Sequence, residues 1–569
     1  MMKEKTGLFR SLDRQTLLLF AGVLFAASFF LFFRLGDRAF RNPDEGRYAE
    51  VAREIVRSAD WMKPTLYGVG YLRKPILFYW LIAASFRMFG ENEWAARLVP
   101  ALASLFGLAA VFWFSFRFFG RKTALFACAI LASNLWYLQV GRYLVIDAVF
   151  TLFILGCLFS FYLGLHSEKN KNAWFGCFYV SLALAFLAKG LIAIAIPAVS
   201  IGAYLVSTGR FLKTLREMRL FLGIPVFLLL AGPWYLLMEV REPGFLKFFF
   251  GHEHWLRLVS ADFEHQEPWF YYLAVFPLMF LPWVLFWRPT RQVFARTGRE
   301  LSDDTALFLG MSIAATLIFF SLSRSKMPTY IFPCLPLGAI LLARGWTRWL
   351  ESRPALGWPE NSVLALLVVS AIGLMVVPAW VLERHPNKFP EAVLSNLKVL
   401  GGGLLAGAVV CWRSNRRGRT TRFFYSLAAA MGLVSLLFTF TMETMNRQYS
   451  TKAFALYLKD KASAGDEIFI YDHPGPFYDF AFYLDRDVKL VGLEGELEFS
   501  RHDPRAEKVS VSREAFSDLL RRDERLYCLI RRSDFKELEE RLGLKLNVLM
   551  EDPRKVLFIS GHREDIPGP

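Results

Sequence analysis

QTLLLFAGVLFAASFFLFFR, residues 15–34, and RNPDEGRY, residues 41–48, decide the fold class between them. The first stretch is long enough to cross a bilayer, which takes about 20 mostly apolar residues. It is too long for a signal-peptide core and no small-residue cleavage motif follows it, so it reads as a retained helix. The second stretch places Asp44 and Glu45 directly outside that helix, ahead of a mostly polar segment that runs to about residue 93. A carboxylate pair at the mouth of a span points to chemistry at a membrane surface.

The whole chain agrees with the membrane reading. Of its 569 residues 54% are hydrophobic and 56 are Phe, which is too apolar for an ordinary soluble protein. The net charge of +16 does not signal nucleic acid. Its basic residues cluster between apolar runs, where membrane topology and anionic lipids account for them. Five of the six cysteines fall in apolar runs and Cys528 stands alone in the tail, so no disulfide framework is expected.

Apolar runs recur at about 15–34, 94–116, 123–140, 145–165, 173–188, 190–207, 220–239, 269–287, 305–322, 329–347, 361–382, 395–412 and 423–442. The sequence thus predicts an α-helical polytopic membrane protein with about thirteen transmembrane helices. Alternate short loops are rich in Lys and Arg: Lys3 to Arg14, Arg117 to Lys122, Lys169/Lys171, Arg210 to Arg219, Arg288 to Arg299, Arg344 to Arg353 and Arg413 to Arg422. This alternation puts the N-terminus in the cytoplasm. Residues 1–445 then form the membrane domain, with an external loop at about 35–93. Residues 446–569 form a small external α/β domain, with strands expected at 467–471 and 526–530 and helices at 515–522 and 534–542. The Asp44 loop, Asp147, Lys189, the 252–257 loop and the 324–330 turn all fall on the outer side.

Each of these clusters has a structural reading beside the chemical one. Glu50, Arg53, Glu54 and Arg57 have helical spacing and can form a solvated face. Asp44 can cap a helix or accept a proton. Lys74, beside Arg73 and Pro75, can snorkel at the interface or hold a phosphate. Asp147 can cap a helix, pair with Arg142 or serve the reaction. Lys189 is pinned beside Gly190 between two closely spaced spans. His252 and His254 flank Glu253 and can ligate a divalent metal, but the spacing matches no defined zinc motif. Hydrogen bonding to substrate is the preferred role there. Arg324 to Tyr330 is either a phosphate-facing turn or an interfacial anchor.

Asp44-Glu45-Gly46-Arg47-Tyr48 followed by Tyr71-Leu72-Arg73-Lys74-Pro75 resembles the first external loop of the lipid A aminoarabinose transferases. These are membrane glycosyltransferases of GT-C architecture, related to the protein O-mannosyltransferases. The resemblance continues through Arg142 to Asp147, Leu187 to Gly190, Glu253-His254 with Arg257, and Ser325-Lys326 with Tyr330 and Pro333. It implies transfer of a sugar from a polyprenyl phosphate, such as undecaprenyl phosphate, to lipid A or another envelope glycan, at the outer face of a bacterial inner membrane. It assigns catalysis to Asp44, with Glu45 and Asp147 beside it. The lipid phosphate falls to Lys74 and Arg257, helped by Tyr71, Tyr330 and Lys326. Arg47, Lys189, His252, Glu253 and His254 would line the substrate cavity. One departure stands out: the family tends to Glu-Lys-Pro-Pro around this lysine, where this chain has Arg73 and Ile76. The missing carboxylate argues against a metal at His252 and weakens the transfer of sugar and acceptor identity.

In this reading the departing lipid phosphate is stabilised by cations, usually the largest catalytic contribution in a water-poor site. A hydroxyl acceptor needs a base, for which Asp44 is the choice; a phosphate acceptor needs none. Two rivals come from other classes. A lipid transporter would place ionisable groups near the midplane, often with inverted repeats, and none is evident. A working tail on a membrane anchor would need a nucleophile–base pair there, and none is evident either.

Overall fold

The computed structural model describes residues 13–256, 266–287, 290–291, 301–351, 358–384, 391–471, 475–492, 497, 505–522 and 525–560. Its first helices are α1 (Arg14–Phe32), α2 (Asp44–Ser58), α3 (Leu77–Phe89), α4 (Glu93–Phe119), α5 (Arg121–Ala132), α6 (Leu135–Gly141), α7 (Asp147–His166), α8 (Lys171–Lys189) and α9 (Ile192–Ser207). Among the described residues nine helices are long and apolar enough to cross a membrane, or ten if α5 and α6 count as one bent span. The protein is a multi-pass membrane protein. All thirteen apolar stretches are helical in whole or part, and the difference in number has local causes. Asn134 ends α5 in extended conformation and caps α6 by accepting from Tyr137 N, which bends that pair by 66°. Pro277 and Pro282 divide the 269–287 stretch into the helix Tyr271–Met279 and a single turn at Trp283–Phe286. Helix α9 has only 16 residues, about 24 Å. Cys334–Glu351 carries three charges, Arg344, Arg348 and Glu351.

The chain divides into two compact units: 13–35 with 98–441, and 36–97 with 442–560. In the membrane unit α7 and α8 pack closely because small residues face each other. A Cβ on Gly156 would stand 2.6 Å from Ser181 Oγ and 3.1 Å from its Cβ, so a larger residue there would force Ser181 aside. Aromatic stacking fills the remaining space, with Phe20–Phe112 at 3.7 Å and Phe114–Phe159 at 4.0 Å.

The second unit joins the first loop to the tail. Its sheet has strands β3 (Glu467–Tyr471), β4 (Lys489–Val491), β5 (Ser510–Val511), β6 (Leu526–Arg531), β7 (Asn547–Glu551) and β8 (Lys555–Ser560), in the order β5-β4-β3-β6-β8-β7. Strands β3 to β6 pair in parallel and β7 and β8 antiparallel. β3 and β6 fall where strands were expected, and the helices Arg513–Arg521 and Arg532–Leu542 where helices were. Phe469, Phe516, Cys528 and Phe558 make the core.

Two devices tie the loop into this unit. Asn42 Nδ2 donates to Pro476 O at 2.9 Å and to Asp479, while Asp479 N donates back to Asn42 Oδ1 at 3.1 Å. Gly46 lies against this contact; a Cβ there would stand 2.6 Å from Asp479 N, so no larger residue fits. The second device is a hairpin, β1 (Thr65–Leu66) and β2 (Val69–Gly70), whose turn residues Tyr67 and Gly68 have φ of +56° and +76°. Both positive values mark a type I′ turn, a conformation that a bulky Tyr adopts only when held. Tyr67 Oη donates to Phe477 O at 3.2 Å, and Glu54 Oε2 accepts from Gly68 N at 3.1 Å.

Burial pushes the Glu54 carboxyl up to about 7, and the neighbouring Glu50 adds to the shift. The folded loop therefore keeps a proton that the unfolded chain releases near the ordinary value of 4.5. The unfolded state binds fewer protons in that window, so stability should fall as pH rises from about 4.5 to about 7. Glu54→Gln should flatten this slope in thermal unfolding of the detergent-solubilised protein. An unchanged slope would show that other groups set it.

Candidate active site

Neighbouring helix positions point about 100° apart, so Asp44 and Glu45 meet different surroundings. Both sit in the first turn of α2, where the helix dipole favours carboxylates. The N-cap is Pro43, so Asp44 does not take the capping role that its position allowed. Its carboxylate is 38% exposed and accepts from Arg47 Nη2 at 2.6 Å, one turn on. Arg47 is buried among three rings, 5.3 Å from Tyr48, 5.8 Å from Tyr71 and 5.9 Å from Tyr478. An accessible carboxylate is thereby aimed by a fixed cation.

Glu45 is the opposite case. It has no exposed surface, and Arg97 grips it with two bonds, Nε to Oε1 at 2.8 Å and Nη2 to Oε2 at 2.9 Å. Arg38 Nη2 adds a third at 3.1 Å and Arg41 N a fourth at 2.9 Å. Arg97 spends its other donors on the carbonyls of Arg38 and Ala39. Every oxygen of Glu45 is engaged, so its chemistry here is that of a clamp. Sequence reading passed over Arg97, although a charge a few residues into an apolar run is costly and is itself a signal.

Further along α2 the solvated face expected for Glu50, Arg53, Glu54 and Arg57 is corrected. Glu50 and Arg53 form a two-point ion pair with both partners buried, and Arg57 is the exposed member. Lys74 stands half-buried in the turn leading into α3. Tyr71 is buried, its N donating to Pro64 O at 2.8 Å.

In the membrane unit Asp147 opens α7 and Lys189 closes α8, and the two meet at 2.6 Å. Lys189 Nζ also lies 5.1 Å from the Phe150 ring and 5.5 Å from that of Tyr330, so α7 and the Pro328–Ile331 turn converge on the ammonium that ends α8. Gly190, at φ +72°, ends α8 directly after this lysine. Arg142 does not pair with Asp147 but donates to the carbonyls of Phe30, Leu31 and Phe33 at the end of α1. Lys326 is buried, and its Nζ donates to Glu267 O at 2.7 Å. Tyr330 packs on Phe320 with ring centres 5.5 Å apart. His252 is exposed, stacked on Phe248 and 3.5 Å from Glu253 Oε1, while Glu253 is buried. Arg257 and the His254 side chain lie outside the described residues. Among the described residues no three His, Cys, Asp or Glu side chains come together as metal ligands do.

Comparison with known proteins carries this geometry to a family. Residues 73–236 match the family model for dolichyl-phosphate-mannose-protein mannosyltransferase, and 467–559 match the aminoarabinose transferase C-terminal domain. An undecaprenyl phosphate-α-4-amino-4-deoxy-L-arabinose arabinosyl transferase of Yersinia enterocolitica is 30% identical over 410 residues, 69% of this chain and 72% of the relative. The chain belongs to the aminoarabinose transferase family. A relative with the same description from Edwardsiella ictaluri is 29% identical over 496 residues, 85% of this chain and 87% of its own. The crystal structure of ArnT from Cupriavidus metallidurans bound to undecaprenyl phosphate superposes with a TM-score of 0.85 at 26% identity, covering 97% of this chain and 99% of that one. The protein is thus a membrane glycosyltransferase of GT-C architecture with a small C-terminal sheet domain.

The Glu45 clamp gives a direct expectation. Arg97→Ala leaves a buried carboxylate without its main partner and should cost about 3–5 kcal/mol. Thermal unfolding in detergent would register the loss. A variant as stable as the parent would show that the pair is dispensable.

Proposed function

We propose that this enzyme moves 4-amino-4-deoxy-L-arabinose from undecaprenyl phosphate to a lipid A-type acceptor at the outer face of the inner membrane. The near full-length likeness to an arabinosyl transferase structure bound to undecaprenyl phosphate carries the reading. Within the loop unit, Asp44 acts on the reacting sugar or its acceptor, Arg47 aims it, and Glu45 holds the helix that presents it. Lys74, with Tyr71, is assigned to the lipid phosphate, whose charge grows as the glycosidic bond breaks; a cation aimed at developing charge lowers that barrier. In the membrane unit, Asp147 and Lys189 with Tyr330 are assigned to polar groups of substrate, and Lys326 and Arg257 to the phosphate as well. A glycan or protein acceptor is the second reading, favoured by the match of residues 73–236 to a protein mannosyltransferase model and by Arg73 and Ile76 in place of the family's residues.

Mass spectrometry of lipid A and surface glycans from cells with and without the gene separates the two readings. An aminoarabinose mass increment on lipid A is expected; one found only on another glycan or on protein would replace the acceptor. Asp44→Asn should lower transfer in isolated membranes by roughly 10²–10⁴-fold with expression unchanged, the usual range for a general acid–base group. Normal transfer by that variant would remove Asp44 from the reaction.

The loop charges support a cytoplasmic N-terminus and a periplasmic tail. With the six native cysteines replaced, Ser463→Cys, at an exposed tail position, should react with a membrane-impermeant maleimide in intact spheroplasts. Labelling only after lysis would invert the topology.

A further inference from the structure

Four consecutive tail residues, Pro476, Phe477, Tyr478 and Asp479, each meet the first loop through a different contact. Pro476 O accepts from Asn42 Nδ2 at 2.9 Å, and Phe477 O accepts from Tyr67 Oη at 3.2 Å. Asp479 N donates to Asn42 Oδ1 at 3.1 Å. The Tyr478 ring lies 6.3 Å from that of Tyr67, at an interplanar angle of 29°, and 5.9 Å from the Arg47 guanidinium carbon. Three of these residues fasten loop to tail; Tyr478 instead reaches the cation that holds Asp44.

The fastening is rigid because of Asp479, which has no exposed surface. A buried carboxylate is costly unless its oxygens are bonded. This one accepts from Ser450 Oγ at 2.5 Å, Thr451 Oγ1 at 2.7 Å and Thr451 N at 3.0 Å, besides Asn42. Ser450 and Thr451 belong to the tail and Asn42 to the loop, so Asp479 is anchored from both. Phe477, on the other side of Tyr478, is tied through its carbonyl to Tyr67. With both neighbours pinned, the buried Tyr478 ring is held where it stands.

Arg47 lies within about 6 Å of three rings, the reach of a cation–π contact. Tyr48 and Tyr71 belong to the loop and move with it, whereas Tyr478 comes from the tail and fixes the guanidinium against a second body. The same guanidinium bonds Asp44 at 2.6 Å. A half-exposed carboxylate left alone samples several rotamers, and the Arg47 bond selects one of them. A displacement of about 1 Å at a reacting group can cost about 10²-fold in rate. We propose that Tyr478 is a positioning residue for sugar transfer: its ring sets Arg47, and Arg47 aims Asp44. The tail thereby takes part in the reaction through a ring two contacts away from the reacting atoms. This role rests on Asp44 acting at those atoms.

Steady-state kinetics of the full chain in lipid nanodiscs test this with Tyr478→Leu and Tyr478→Phe. Tyr478→Leu should lower kcat roughly tenfold, the size of one desolvated cation–π contact, with the donor KM within about twofold of the parent. Tyr478→Phe keeps the ring and should retain kcat to within about twofold. In an Arg47→Gln background Tyr478→Leu should cost less than about twofold more, because the two residues act in series. An unchanged kcat in Tyr478→Leu overturns the proposal. So does a Phe variant as slow as the Leu variant, or losses that multiply in the double variant. If thermal unfolding shows that Tyr478→Leu does not fold, Tyr478→Met, with its adaptable side chain, takes its place. A purely structural role would lower the unfolding temperature and leave kcat per folded molecule unchanged. Asp44→Asn reports separately: full activity there removes the Asp44 reading, whereas loss there with normal kcat in Tyr478→Leu removes only the role of Tyr478.

Discussion

A fully buried ion pair, Glu45 with Arg97, is the constraint from which the loop takes its shape. It joins the first turn of α2 to the first turns of α4, and each hydrogen-bonding position of Glu45 is filled. Taking two charges out of water is expensive, and their attraction offsets the cost only when geometry and remaining bonds are complete. They are complete here. Such a pair adds little net stability over an apolar packing; its value is that the helix has only one acceptable position. The direction of the adjacent Asp44 carboxylate follows from that position, because one residue along a helix is a fixed rotation.

The membrane unit uses the same economy of charge at helix ends. Asp147 sits at the positive end of α7 and Lys189 at the negative end of α8, so each is favoured by its own helix before the two meet. The pair is also partly open, unlike Glu45–Arg97, with Lys189 facing two aromatic rings. One pair holds a scaffold and the other leaves a charged group within reach.

Much of this was legible in the sequence, and for a stated reason. Hydrophobic runs, loop charges and short β-rich segments are local signals, so the helices of the membrane unit and strands β3 and β6 fell where they were expected. The bent α5–α6 pair was not visible, because a single Asn turning into a cap leaves the apolar count unchanged. Glu50 and Arg53 looked like a surface pair because spacing along a helix cannot tell which face another segment will cover. Here Phe482, from the tail, lies 5.9 Å from the Arg53 guanidinium. The partner of Glu45 was equally hidden: it stands 52 residues away, inside a run counted as membrane. Candidate residues with sequence neighbours as partners, such as Asp44 and Arg47, are readable; those completed from afar are not.

The contact of Asn42 and Gly46 with Asp479 has a consequence in time. Its partners are 437 residues apart in the chain. At about 5–20 residues per second, a ribosome needs roughly 20–90 seconds between making one and the other. Throughout that interval most of the spans are being inserted while the loop after α1 still lacks the strand-bearing segment that finishes it. The segment presenting Asp44 is thus among the first parts of the chain to be made and among the last to take its final form. A nascent or prematurely ended chain lacks the finished loop fold, which appears only once the tail has been made and has docked on the loop within its own unit.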